Sequence, residues 1–297
     1  MTTPGNTAIC LLIINKVPAL PRLAIESILE CTRNTIFIGF MNPSDIQDIP
    51  ENPRLNKVQF NGLELKSPVT ADGDKYIDFS VPEFYNLVQY KWVLLEHVSK
   101  LGFDSIVFSD FDVYWNKNPI IELEETFKTF PEVDIQIQTY TSRPSSEQLC
   151  MGFVAFRNTK ALLPDLQNLK DLHAKLLQEN RMTGDDDVIS KLFHSDANFR
   201  AKVLKLPQST FPTGNLINVF SRRNLFPGLV PFEPFVFHAN FVVGSRKKTL
   251  LLKTFIYNSQ FAKSGTKVTF RQGVKAALLV RRVGVYAKRL MKQSLNF

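Results

Sequence analysis

Residues 8–14, Ala-Ile-Cys-Leu-Leu-Ile-Ile, form an unbroken apolar run. A strand with one face in water alternates apolar and polar side chains. A run without alternation therefore predicts a strand covered on both faces, the condition of a parallel sheet wrapped by helices. The segment that follows has the periodicity such a sheet requires. Leu23, Ala24, Ser27, Ile28 and Cys31 mark one face of a helix from Leu20 to Cys31, and Thr35 to Phe40 returns to strand. The chain thus opens as a β-α-β unit.

The remainder extends this pattern. Residues 41–78, rich in Pro, Asn and Gly, predict loops with a short strand near Val58–Phe60. Val88 to Leu101 reads as one helix with Val88, Trp92, Leu95 and Val98 or Ser99 on one side, and Gly102 is placed to end it. Further strands are expected at Ile106–Phe108, Val133–Thr139 and Gly152–Phe156. Helices are expected at Glu122–Phe130, Lys160–Gln178 and Asp185–Phe193, the last with an acidic start that suits the positive end of a helix dipole. With 297 residues and 44% hydrophobic content, the expected fold class is α/β, one Rossmann-like mixed central sheet flanked by helices over residues 1–265. Such an order does not name a reaction.

The chemistry is concentrated after Ile106-Val107-Phe108. Asp110 and Asp112 follow this apolar run two residues apart and can point to one side where the strand ends. Two carboxylates at the carboxyl end of a parallel strand can hold Mg²⁺ or Mn²⁺ against a diphosphate. Spacing alone leaves an acidic turn as an equal description of the triplet. The cysteines, Cys10, Cys31 and Cys150, are widely spaced and form no Cys-x-x-Cys pair, so the expectation is reduced, buried thiols rather than a disulfide scaffold or zinc site.

Several pieces occur in a fixed order: Lys91-Trp92, Gly102-Phe103, Ser109-Asp110-Phe111-Asp112-Val113-Tyr114-Trp115, Asn118-Pro119, Gly152 to Asn158, Asp185-Asp186-Asp187-Val188-Ile189, and His238-Ala239-Asn240 with Gly244 and Lys248. Over residues 8–256 this order resembles the nucleotide-diphospho-sugar transferase family of GT-A glycosyltransferases, close to family 77 and more distantly family 8. The resemblance implies a metal-dependent, retaining transfer of a sugar from a nucleotide sugar, UDP-linked galactose, xylose, arabinose or glucose, to a glycan or glycoconjugate hydroxyl. It implies Asp110, Asp112 and His238 as ligands of Mn²⁺ or Mg²⁺, the imidazole favouring Mn²⁺. Asn15, Lys91, Asp110, Gly244 and Lys247 or Lys248 would contact the nucleotide sugar. Similar proteins have Asp-Gln-Asp where this chain has Asp185-Asp186-Asp187, facing the donor sugar. Asp186 there serves either as a nucleophile or as a hydrogen-bonding group, and a front-face route needs no nucleophile. Phe211 to Phe237, rich in aromatics and Pro, offers a wall for a carbohydrate acceptor.

Charge divides the chain unevenly. No acidic residue follows Glu233, whereas thirteen of the 36 Lys and Arg do, leaving 23 basic against 28 acidic residues within residues 1–233. Within residues 266–297, Ala276, Leu279, Val280, Val283, Tyr286, Ala287, Leu290 and Met291 repeat at helical spacing, with Lys275, Arg281, Arg282, Lys288, Arg289 and Lys292 opposite. A basic amphipathic helical extension is expected, able to lie on an anionic membrane or to pack on protein. Nucleic acid is not expected as a partner, because the basic residues are not interleaved with stacking aromatics and no recognition motif is present. A metal-dependent nucleotidyltransferase or phosphohydrolase is the alternative enzyme class, since paired aspartates also serve two-metal chemistry. The start of the chain has no basic leader, and no segment offers the ~20 apolar residues of a membrane span, so a cytoplasmic location is expected, with residues 266–297 able to make peripheral membrane contact.

Overall fold

The computed structural model describes residues 6–14, 19–61, 81–140, 148–180, 182–213, 234–240, 246, 248–253 and 255–256. Its centre is a seven-stranded mixed sheet. The chain enters through β1 (Thr7–Ile13), α1 (Ala19–Cys31), β2 (Thr35–Phe40) and β3 (Leu55–Gln59), then α2 (Pro82–Val88) and α3 (Tyr90–Ser99). It continues through β4 (Ser105–Ser109), β5 (Val113–Trp115), α4 (Ile120–Thr129), β6 (Ile135–Thr139) and β7 (Leu149–Arg157). The last described elements are α5 (Leu162–Glu179), α6 (Asp185–Ser195), α7 (Ala197–Ala201), β8 (Val203–Lys205) and β9 (Val236–His238).

The spatial order is β3-β2-β1-β4-β7-β6-β8. Strands β3, β2, β1 and β4 are mutually parallel, β7 runs against both β4 and β6, and β8 is parallel to β6. The first crossovers build outward from β1 on one side, and β4 returns to its other side. That reversal between β1 and β4 is a topological switch point, where open α/β sheets form a crevice at the carboxyl ends of their strands.

Both faces of the sheet are dry, which accounts for the unbroken apolar run in β1. Ala8, Cys10 and Leu12 point into the layer built with α3, α5 and α6, including Trp92, Leu95, Leu169 and Val188. Ile9, Leu11 and Ile13 point into the opposite layer with Ile25, Ile28, Leu123 and Phe153. Each Leu, Ile, Val or Phe side chain among these contributes about 1.5–3 kcal/mol on removal from water.

The helix expected over Val88–Leu101 is α3, preceded across Gln89 by the separate short helix α2, and α3 is buried more widely than a single stripe: Tyr90, Lys91 and Leu94 are buried beside Trp92, Leu95 and Val98. Gly102 has φ 81°, a left-handed conformation that glycine adopts without cost, and it turns the chain into β4. Cys10 and Cys150 are buried and unpaired with sulfur, whereas Cys31 is only half-buried and donates to the Trp115 carbonyl at 3.4 Å. Among the described residues a second sheet has two strands, antiparallel β5 and β9, in register Val113↔His238 and Trp115↔Val236. Among the described residues no helix is long and apolar enough to cross a membrane. Residues 266–297 lie outside the described residues.

Candidate functional site

The carboxyl end of β4 at the switch point carries the two acids, but strand pleating is not what brings them together. β4 ends at Ser109, and the Val113 amide donates to the Asp110 carbonyl at 3.1 Å, so Asp110 to Val113 form a turn. The turn is pinned on both sides. The Asp110 amide donates to the Gly152 carbonyl on β7 at 2.8 Å, and the Ala239 amide beyond β9 donates to the Asp112 carbonyl at 2.9 Å.

The small sheet supplies the third group. Pairing of β5 with β9 sets His238 beside Val113, and its Nε2 lies 3.2 Å from Asp112 Oδ1. One ligand atom each from Asp110, Asp112 and His238 lies within 4.8 Å of the other two. Gly152 makes this possible: a Cβ there would stand 1.9 Å from His238 Cε1.

Two lysines neutralise the acids from opposite sides. Lys248 Nζ is 2.6 Å from Asp112 Oδ2. Lys91, buried on α3, bridges Asp110 Oδ1 at 2.9 Å and Asp185 Oδ2 at 2.6 Å, with its ammonium 4.8 Å from the Phe108 ring centre. Burial disfavours the charged lysine, but Asp110, Asp185 and Asp186 outweigh it and hold Lys91 protonated, its pKa raised. Burial likewise pushes Asp112 upward, and Lys248 and His238 more than reverse this, leaving its carboxyl well below the usual carboxylate range. Asp110 goes the other way. Burial, with Asp112 and Asp185 nearby, raises it against the pull of Lys91. His238 is disfavoured as a cation by burial, yet Asp112 carries its pKa up to about 10.

The triple aspartate opens α6 and its members part company. Asp185 pairs with Lys91. Asp186 accepts from the Met151 amide at 2.5 Å through Oδ1 and from the Tyr140 hydroxyl through Oδ2. Burial, reinforced by Asp110 and opposed by Lys91 and the Met151 amide, pushes its pKa up to about 6. Exposed Asp187 accepts the Gly184 amide at 3.0 Å, bonding from the first turn of α6 back to its N-cap residue.

Of the residues singled out in the sequence, Lys91, Asp110, Asp112, Asp185, Asp186, His238 and Lys248 therefore converge. Asp187 sits beside them in a capping bond. Asn15, Gly244 and the side chain of Lys247 lie outside the described residues. The carbohydrate wall needs correction for its described aromatics. Phe211 is buried between Phe153 and Phe235, and Phe237 stacks on Phe255 with centroids 4.4 Å apart, so these rings are core and present no face to a sugar. Gln138, Tyr140 and Cys150 join the site without having been singled out. Gln138 and Cys150 lie within 3.2 and 3.6 Å of His238 Nδ1. The faint signal for Gln138 is its place in Ile-Gln-Ile-Gln, where an amide on a strand covered on both faces must find a buried partner.

The donor set suits a divalent cation: two carboxylate oxygens and one imidazole nitrogen converge, with acids so crowded that two ammonium groups serve as counter-charges. A mixed α/β sheet with an Asp-x-Asp turn at its switch point and a histidine delivered from a small second sheet defines a GT-A-like, Rossmann-related fold with a metal-capable site. The chain belongs to the nucleotide-diphospho-sugar transferase family, whose sequence profile matches residues 48–252. It is similar to UDP-D-xylose:L-fucose alpha-1,3-D-xylosyltransferase 3 of Arabidopsis thaliana, 23% identical over 208 residues. That match covers 65% of this chain and 52% of the plant protein, so the chain spans about half the length of the curated relative it matches. Among solved structures, mouse xyloside xylosyltransferase 1 in its apo form superimposes with a TM-score of 0.49 at 13% identity, covering 78% of this chain and 97% of that one. A glycosyltransferase involved in the glycosylation of the major capsid of PBCV-1 does so with a TM-score of 0.52 at 10% identity, covering 83% and 98%. The latter likeness is one of fold.

Proposed function

We propose that the protein is a metal-dependent glycosyltransferase that moves a sugar from a nucleotide sugar to a glycan or glycoconjugate hydroxyl, with retention of anomeric configuration. The observation that carries this reading is the convergence of Asp110, Asp112 and His238 at the switch point, flanked by Lys91 and Lys248. A divalent cation held by these three residues, Mn²⁺ on the strength of the imidazole, supplies charge stabilisation to the departing diphosphate. Lys248, poised at the rim of the cluster, adds a point charge for the phosphates. Buried Lys91 ties Asp110 to Asp185 and holds both in place on the side of the donor sugar.

The partners of Asp186 favour the front-face route. A nucleophile for double displacement needs a free carboxylate oxygen directed at the anomeric carbon. Both oxygens of Asp186 are engaged, one by a backbone amide and one by a phenol. Its role in this reading is to tie α6 to β7, so that Asp185 faces the donor. A trapped glycosyl adduct on Asp186 would refute it.

The likeness to a xylosyltransferase supports a UDP-linked pentose among the donors, and placement close to family 77 belongs to the same proposal. The two-metal alternative draws less support, since among the described residues one group of three metal-capable ligands is found. The basic extension at 266–297 is proposed to contact an anionic membrane; liposome flotation with and without it decides, equal recovery ending the idea. UDP release from a panel of UDP-sugars with and without Mn²⁺ tests the main reading. Release that depends on both Mn²⁺ and Asp112 is expected. Its absence with every donor overturns the proposal.

A further inference from the structure

We propose that Gln138 is a positioning residue that holds the His238 ring with Nε2 turned toward Asp110 and Asp112; this rests on the metal-dependent reading above. β6 and β7 pair antiparallel, and their register shifts between Ile137 and Gln138, so that Gln138 stands opposite Cys150. Such an irregularity re-aims a side chain, and here it turns a fully buried amide toward the histidine.

The direction of that amide is set by its other partners. Its Nε2 donates to the Phe211 carbonyl at 3.1 Å and to the Pro212 carbonyl at 3.3 Å. Carbonyls accept only from the nitrogen end, so the oxygen end is the one that lies 3.2 Å from His238 Nδ1. An oxygen acceptor there keeps a proton on Nδ1. Nε2, 3.2 Å from Asp112 Oδ1, is then the nitrogen left to bind a cation, the arrangement by which an outer partner fixes the tautomer of a metal-binding histidine. The Cys150 thiol, 3.6 Å from Nδ1, is a weaker acceptor than the amide oxygen. Gly152 leaves room for the ring: a Cβ would fall 2.6 and 2.7 Å from the two ring nitrogens, so the Cε1 side of the imidazole occupies the space a side chain on β7 would fill. Gln138 thus belongs to the histidine's function rather than to the core alone.

Mn²⁺ affinity of the full chain without nucleotide, read from the electron paramagnetic resonance of free Mn²⁺, tests this. Gln138→Met is expected to weaken binding about 10–100-fold, the range for losing an outer partner of a metal ligand. Gln138→Glu keeps an oxygen on Nδ1 and, protonated, a donor for the carbonyls; it is expected to stay within about threefold of wild type. Gln136→Met is the control, because Gln136 is equally buried on β6 but donates to the Leu123 carbonyl at 2.8 Å, away from the site. It should lower stability without changing affinity. Equal affinity in Gln138→Met and wild type, or equal losses in both Met variants, overturns the inference and leaves the metal site standing. A wild-type protein that binds no Mn²⁺ overturns both. Should Gln138→Met not fold, nitrogen-15 spectra of wild type saturated with Mg²⁺ decide: a proton on Nδ1 is expected, and a proton on Nε2 would sink the proposal.

Discussion

The chain places two aspartate clusters within reach of one lysine, and they behave oppositely. Asp110 and Asp112, in the turn after β4, aim their carboxylates at a common point and draw in His238 and Lys248. Asp185, Asp186 and Asp187, at the start of α6, disperse: one to Lys91, one to Met151 and Tyr140, one to the helix cap. Turn geometry gathers side chains, whereas successive residues on a helix radiate about the axis at 3.6 residues per turn. Three adjacent acids therefore serve three neighbours, and two acids separated by one residue in a turn serve one centre.

Removing a member of the converging cluster should have the largest effect. Asp112→Ala is expected to abolish saturable Mn²⁺ binding and to lower the rate of UDP release by on the order of 10²–10³, the range for losing a preorganised stabiliser of developing charge. A variant with wild-type metal affinity would break the comparison at its first side. Next comes the residue that joins the clusters. Lys91→Met leaves buried Asp185 and half-buried Asp110 without their shared counter-charge and should cost about 3–5 kcal/mol in urea unfolding, as when one partner of a buried ion pair is deleted. An unchanged unfolding midpoint would show the acids to be independently satisfied.

Asp186 sharpens the comparison through pH. A carboxyl with a pKa about 6 when folded and an ordinary value of 3.8 when unfolded binds its proton more tightly in the folded state. Its contribution is most favourable below the unfolded value and is lost as pH rises from 3.8 through about 6. Asp186→Asn, which retains an acceptor for the Met151 amide, should flatten the difference in melting temperature across that window and exceed wild type above it. Parallel pH profiles for the two proteins would contradict the assignment. The smallest effect belongs to Asp187→Ala, which removes the carboxylate that accepts the Gly184 amide at the start of α6 and should cost about 0.3–1.5 kcal/mol while leaving UDP release below the melting transition unchanged. A tenfold loss of turnover would instead place Asp187 at the donor and erase the contrast between the clusters.

Much of the frame was legible because it rests on local periodicity. The apolar run in β1, the helical spacing of α1 and the return to strand in β2 each follow from burial on known faces. Local pattern does not reach partners distant in sequence: the resemblance put His238 with Asp110 and Asp112, as the structure does, but the route that joins them was not legible. The three-residue strands β5 and β9 are too short to carry a pattern, and their pairing joins Val113 to His238 across the fold. By residue type alone Lys91 is a surface lysine, since charged helical side chains are seldom buried, and it was the family resemblance that directed it to the donor; α6 arriving beside α3 supplies the second carboxylate that makes its burial tolerable. The aromatic stretch ending at Phe237 looked available to a sugar because composition cannot tell a core ring from an exposed one. Gln138 was invisible because its meaning depends on a register irregularity and on two carbonyls more than seventy positions away.

By itself, then, the sequence determined the α/β class, the order of the first strands and helices, and the residue types available for binding a cation, since these depend on side-chain polarity and spacing along the chain. Tertiary structure alone decided that a turn rather than a pleat joins Asp110 to Asp112, that His238 completes their cluster through a two-stranded sheet, and that Asp186 faces Met151 and Tyr140. These outcomes depend on which surfaces meet when the helices bury their apolar faces on the sheet, and that meeting is a property of the packed molecule rather than of any segment in it.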